Sequence, residues 1–219
     1  MPNIRDYSQI KLDSAQLDAQ AYKNFLGGNA ASWEKRGAFQ LELLRFLGLQ
    51  PGASFLDVGC GPARAGVHFI RFLDPGNYHG VDFNPSFIEA AHRIVESEGL
   101  GPRAACISML SNFDFSRMGR TYDYILCFSV LNHCSPADRN LFFQRVPLVM
   151  HENTQLIITH GGWLDRHSLD ETALSVQEIL KDEDDLPDHL KLADWGFGEA
   201  GDRLPIFQLR LDRGSQSPP

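Results

Sequence analysis

Long apolar runs are missing from this chain. No stretch reaches the length a bilayer-spanning helix needs, and the first residues lack a basic segment followed by an apolar one. Cysteine is scarce: Cys60, Cys106, Cys127 and Cys134 are the only four, and none stands at the Cys-x-x-Cys spacing of a zinc site. They fall mostly in apolar stretches, the habit of reduced intracellular thiols. Positive charge is also short: 20 Lys and Arg face 28 Asp and Glu, a net charge of -8. Such a balance gives no electrostatic footprint for nucleic acid or an anionic membrane. There is no internal repeat. These absences predict a cytoplasmic protein with neither nucleic acid nor membrane as partner.

What is present fits one α/β domain. The 219 residues are 43% hydrophobic and 22% charged, ordinary for a globular protein with a good-sized core. The chain is organised around Phe55-Leu-Asp-Val-Gly-Cys-Gly-Pro-Ala-Arg64. Phe55, Leu56 and Val58 form the short apolar run of a central strand. Gly59 and Gly61 permit a turn that swings through unusual dihedrals and comes close to a ligand. Pro62 suits the first turn of a helix running through Ala65 to Leu73.

Strand, glycine turn and helix in that order point to a nucleotide-type ligand at the end of a parallel strand. The dinucleotide fingerprint wants a third small residue where Arg64 stands. Asp57, two residues before Gly59, would repel a pyrophosphate. It suits a ligand that brings a cation, such as the ammonium of an amino acid. An acid before a Gly-Cys-Gly-Pro turn resembles the first motif of class I S-adenosylmethionine-dependent methyltransferases. The resemblance extends over about residues 41–213.

It implies an α/β fold: a single doubly wound Rossmann-like domain. Its seven-stranded, mostly parallel sheet has the last-paired strand antiparallel, and N-terminal helices act as a lid. The expected division is a lid over residues 1–38, a methyltransferase domain over 39–213 and a disordered tail over 214–219. The implied cofactor is S-adenosylmethionine, with S-adenosylhomocysteine as product. In this resemblance Asp57 and the amides of Gly59, Cys60 and Gly61 hold the methionine end. Asp82 closes the strand Tyr78–Asp82 and accepts hydrogen bonds from the ribose hydroxyls. It also stands just ahead of the helix Pro85 to Glu96, whose N-terminus an acid suits. Phe83 packs on the adenine.

An aspartate that often follows the third strand in the family is replaced by Met109 or Leu110, leaving apolar contact for the adenine. Ser111 and Asn112 are substitutes for the lost polar contact. Tyr122-Asp-Tyr-Ile-Leu-Cys-Phe-Ser129 resembles the fourth strand, with Cys127 and Phe128 under the methionine moiety. Val130-Leu-Asn-His133 resembles a segment common in small-molecule methyltransferases. His133 is the candidate general base, because an imidazole titrates near neutral pH; its other reading is a loop histidine that packs or caps the next helix at Ser135-Pro136.

Helical spacing places Trp33 and Arg36 on one face, after a cap at Ser32. One reading gives Arg36 to the cofactor carboxylate and Trp33 or Tyr22 to the substrate; the other is a surface arginine and a core aromatic. Phe39, Leu43, Phe46 and Leu47 recur at helical spacing. His160 and Trp163, after a fifth strand Thr154 to Thr159, are substrate-pocket candidates or a packing turn. Asp165 to Lys181 reads as a loop and a helix. Ile206 to Leu211 alternates and closes the sheet.

The acceptor implied is a small molecule, a sugar or peptide natural product included, methylated on oxygen or nitrogen by a monomer or homodimer. No metal is expected. An NAD-dependent oxidoreductase, a non-catalytic S-adenosylmethionine-binding regulator and a protein or RNA methyltransferase are the alternatives.

Overall fold

A computed structural model describes residues 30–159, 174–180 and 206–211. Within them the chain alternates helices with strands. The order is α1 (Ala30–Phe46), β1 (Phe55–Val58), α2 (Gly66–Phe72), β2 (Tyr78–Asp82), α3 (Pro85–Ser97), β3 (Cys106–Met109) and β4 (Tyr122–Phe128). Then come α4 (Pro136–Arg145), β5 (Met150–Thr159), β6 (Leu174–Leu180) and β7 (Ile206–Leu211). The fold is the Rossmann-like α/β arrangement. The strands lie side by side as β3-β2-β1-β4-β5-β7-β6. From β3 through β5 every pairing is parallel, while β7 runs antiparallel to both β5 and β6. Strand order reverses between β1 and β4, and in such sheets that reversal opens a crevice beyond the carboxyl ends.

β1 is buried along its whole length, so its apolar residues serve both faces. Phe55 packs with Phe39, Leu43, Phe69 and Tyr78 under α1, α2 and α3, whereas Leu56 and Val58 join Ile125, Phe142 and Val146 on the α4 side. Alternation then turns Asp57 to the same face as Phe55 and Tyr78.

α3 starts where the Asn84 side chain accepts from Ser86 N, with Pro85 at its first position, and Gly99 follows its end at φ +68°. α4 is capped by Ser135, whose side chain accepts from Asp138 N. Among the described residues no helix is long and apolar enough to cross a membrane.

Several expected boundaries move. Ser32 lies inside α1 and does not cap it. Phe46 is 49% exposed and Leu44 is buried in its place, because Leu44 falls on the stripe with Trp33, Gly37 and Gln40. α2 begins only at Gly66, so Pro62 sits in the turn before it; Ala63 there takes φ +61°, incompatible with helix. The helix expected after Asp165 is instead strand β6 over Leu174–Leu180. Its backbone pairs with β7 from Leu174 opposite Leu211 to Leu180 opposite Ile206. An alternating strand such as β7 leaves an unpaired edge, and pairing that edge decides a short segment of mixed propensity. The expected lid helices before residue 30, and Tyr22, His160 and Trp163, lie outside the described residues.

Candidate active site

The site grows out of the turn after β1. Gly59 N and Cys60 N both donate to Val81 O, at 2.8 and 3.1 Å, which folds the turn back over β2. Gly59 takes φ +75°, and a Cβ there would come 2.3 Å from Val130 Cγ2. Only glycine meets both demands. Gly61 also has positive φ, yet a Cβ there would meet nothing within 4 Å, because it faces open space.

Asp82 locks the turn from below. Its Oδ2 accepts from Gly61 N at 3.0 Å and its Oδ1 from Asn84 N at 2.9 Å. The side chain is buried. Burial pushes its pKa up, and the amides of Asn84, Gly61 and Phe83 work against that rise. A carboxylate offers about four lone-pair sites, so these three amides leave room for a ligand hydroxyl. Asp57 is buried as well and accepts a 2.9 Å hydrogen bond from the Tyr78 hydroxyl at Oδ2. Loss of water raises its pKa to about 7, with the Tyr78 hydroxyl and the Arg64 guanidinium opposing and Asp82 adding to the rise. A carboxyl so desolvated gains by meeting a cation.

Both acids line one cavity of about 560 Å³ at the carboxyl ends of the strands. Gly59, Cys60, Gly61, Phe83, Leu110, Phe128, His133 and Trp33 line it too. Phe83 is 48% exposed, a free aromatic face at the rim. Leu110 N is tied to Asp82 O at 2.9 Å, which sets Leu110, Ser111 and Asn112 along one wall. His133 ends a short 3-10 turn, Leu131–His133, after Val130. Burial lowers its pKa, which favours the neutral imidazole, the form that accepts a proton.

Three expected residues fall outside the lining: Met109, which is 56% exposed, Cys127, which is fully buried, and Arg36 on α1. Strand geometry explains the first two, since neighbours along a strand face opposite sides and Leu110 and Phe128 take the inward places.

Sequence reasoning missed Arg64, Gln40, Val130 and Asp138, which also line the cavity. In the sequence Arg64 stands out only where a third glycine would be; its guanidinium lies 5.9 Å from the Trp33 ring centroid, a cation–π contact at the cavity wall. Gln40, buried and one turn beyond Arg36, bonds back to Arg36 O at 3.3 Å. A signal existed for the docking of α1: Gly37, whose Cβ would come 2.4 Å from Arg64 O, brings the helix against the turn. Among the described residues no three His, Cys, Asp or Glu side chains gather as metal ligands would.

A family model described as Methyltransferase domain matches residues 49–204, more than two thirds of the chain. The chain belongs to that family, and its fold and loop are those of a class I S-adenosylmethionine-dependent methyltransferase. S-adenosylmethionine is the cofactor of this class and S-adenosylhomocysteine its product.

An uncharacterized protein of Methanocaldococcus jannaschii is 28% identical over 126 residues, which are 56% of this chain and 32% of that protein. The chain thus matches about a third of the length of that curated relative. The magnesium protoporphyrin IX methyltransferase of Synechocystis PCC 6803, solved with bound S-adenosylmethionine, has the same fold. Its TM-score is 0.58 at 15% identity, over 90% of this chain and 99% of that one. The ribosomal protein L11 methylase of Lactobacillus delbrueckii subsp. bulgaricus has TM-score 0.51 at 13% identity, over 80% and 76%. One of these neighbours is named for a porphyrin and the other for a protein, so the fold by itself selects no acceptor.

Proposed function

We propose that this protein transfers the methyl group of S-adenosylmethionine to an oxygen or nitrogen of a small-molecule acceptor. The observation that carries the reading is the meeting of Asp57, Asp82, Gly61 and His133 around one cavity at the strand reversal. The residues suit the cofactor. Asp57, desolvated and lining the cavity, receives the ammonium. Arg64 on the same wall receives the carboxylate, the role first expected of Arg36. Asp82 takes the ribose hydroxyls with its remaining lone pairs, and Gly61 leaves space where a side chain would stand. Phe83 covers one face of the adenine and Leu110 supports its edge.

The bound cofactor supplies a sulfonium methyl that is already a strong electrophile. The protein's part is positioning, worth several orders of magnitude when the reacting atoms are aligned, and proton removal. His133 would accept at a ring nitrogen the proton that the acceptor oxygen or nitrogen gives up on methylation, while the methyl carbon–sulfur bond would break to release neutral S-adenosylhomocysteine. The size of the cavity, about 560 Å³, is of the order used for small ligands. The acidic net charge of -8 weighs against a polyanionic acceptor. The protein would then act on a small molecule in the cytoplasm.

Calorimetric titration of the full chain with S-adenosylmethionine, S-adenosylhomocysteine and NADH tests the cofactor. Micromolar binding of the two sulfur ligands without NADH is expected. Binding of NADH alone overturns the reading of the Asp57 turn. Acceptor screening for methyl transfer then tests the substrate class, and salt-sensitive binding of RNA with methyl incorporation into it would replace the small molecule by a macromolecule.

A further inference from the structure

Tyr78 opens β2 and does not line the cavity. It is nonetheless fully buried, and its hydroxyl is 2.9 Å from Asp57 Oδ2. A buried tyrosine hydroxyl needs a partner, and here the partner is an acid that lines the cavity.

The surroundings leave the phenol little freedom. Its ring stacks with Phe55 at 6.1 Å and with Phe69 at 6.5 Å. Two glycines make room for its oxygen: a Cβ on Gly66 would come 2.6 Å from it and one on Gly80 2.9 Å. Neither glycine needs positive φ. Their smallness is spent on the space that the hydroxyl occupies. Smooth-walled packing would have been met by phenylalanine, which asks for no partner.

We propose that Tyr78 is a positioning residue of the cofactor site. Its hydroxyl fixes one oxygen of Asp57 and thereby aims the carboxylate at the cofactor ammonium. The inference deepens the proposed function, since it rests on Asp57 receiving that ammonium. The hydrogen bond favours the charged form of Asp57. It therefore also sets how readily the acid ionises to receive a cation. The other groups facing Asp57 are Asp82 on β2, Arg64 in the turn, and the Cys60 and Cys127 thiols, both of which burial keeps protonated. Among these Tyr78 alone donates a side-chain hydrogen bond to Asp57.

The test uses the full chain with Tyr78→Phe, which keeps the ring and removes the donor. Two probes are titrated across pH 5.5 to 8.5: S-adenosylhomocysteine, which carries the ammonium, and 5′-methylthioadenosine, which lacks it. Loss of a hydrogen bond to a charged group predicts about a tenfold weaker S-adenosylhomocysteine affinity with 5′-methylthioadenosine unchanged. The pH midpoint at which S-adenosylhomocysteine binding strengthens should also move upward, because Asp57 then holds its proton more tightly. A merely structural role would weaken both probes together and leave the midpoint in place.

Asp57→Asn separates the two layers of the argument. If that variant keeps normal preference for S-adenosylhomocysteine over 5′-methylthioadenosine, the reading of Asp57 itself fails. If it loses the preference while Tyr78→Phe keeps both affinity and midpoint, only the Tyr78 inference fails. Should Tyr78→Phe not fold, 3-fluorotyrosine placed at position 78 decides the matter. Its more acidic phenol is a stronger donor and should shift the midpoint downward; an unmoved midpoint overturns the inference.

Discussion

Asp57 lies near the carboxyl end of β1, and Asp123 lies at the amino end of the neighbouring parallel strand β4. Asp57 is 4% exposed and accepts a side-chain hydrogen bond from the Tyr78 hydroxyl. Asp123 accepts at Oδ2 from both Ser54 N and Ser54 Oγ at 2.7 Å, and its Oδ1 stands 3.2 Å from His151 Nε2. Desolvation lifts the first acid to about 7. At the second, the raising effect of burial is outweighed by the Ser54 hydroxyl and amide and by His151, and the pKa ends below its ordinary value. One acid is kept short of partners at the ligand end. The other is saturated at the end that only joins strands. A carboxylate's surroundings, more than its place in a motif, separate a binding group from a structural one.

The contrast can be broken most forcefully at Asp82, which does both jobs. Asp82→Ala frees Gly61 N and Asn84 N and removes the ribose acceptor; S-adenosylmethionine affinity should fall at least about 100-fold by calorimetry, on hydrogen bonds of this kind. Affinity close to the unaltered protein would sink the assignment. His133→Ala should leave that affinity within about twofold and lower kcat about 100-fold once an acceptor is in hand, the usual worth of a general base. Unchanged kcat removes the base role.

The next effect is on pH. Asp57 must ionise to meet the ammonium, so S-adenosylhomocysteine should bind more tightly as pH rises through about 7. Stability of the unliganded protein runs the other way. A carboxyl raised in the folded state holds its proton there, so its contribution is full below the ordinary value of 3.8 and is lost as pH rises through about 7. Asp57→Asn should flatten both slopes, and slopes that persist would assign them to another group. The smallest effect belongs to Asp123. Asp123→Asn should cost about 1–2 kcal/mol and a few degrees in Tm, without changing cofactor affinity. Asp123 is lowered in the folded state, so its contribution is present above 3.8 and disappears as pH falls through the folded value. A variant equally stable at pH 7 would make the Ser54 and His151 contacts neutral.

The parts of the fold legible in sequence were those with local signatures. β2 and β7 appear at the expected residues because alternation and flanking turns bound them. The glycine turn was legible because Gly59 and Gly61 carry a backbone requirement that few other residues satisfy. β6 was not, because only its pairing to β7 makes Leu174–Leu180 a strand. The cavity wall was half legible. Motif positions named Asp57, Asp82 and His133, but Gln40 and Arg64 enter through the docking of α1 at Gly37, a contact between segments that no local pattern announces. Tyr78 hid for a similar reason: its partner lies 21 residues away in the chain.

Val130 pressing where a Gly59 side chain would stand ties two loops into one body. The first carries the amides of the cofactor turn, and the second carries His133 three residues further on. Neither can shift by much without displacing the other. Occupancy of the turn and the aim of the imidazole are thus a single mechanical variable, so an enlarged residue at position 59 should be read first in the acceptor half of the reaction, as misaligned proton transfer, before it is read in lost affinity.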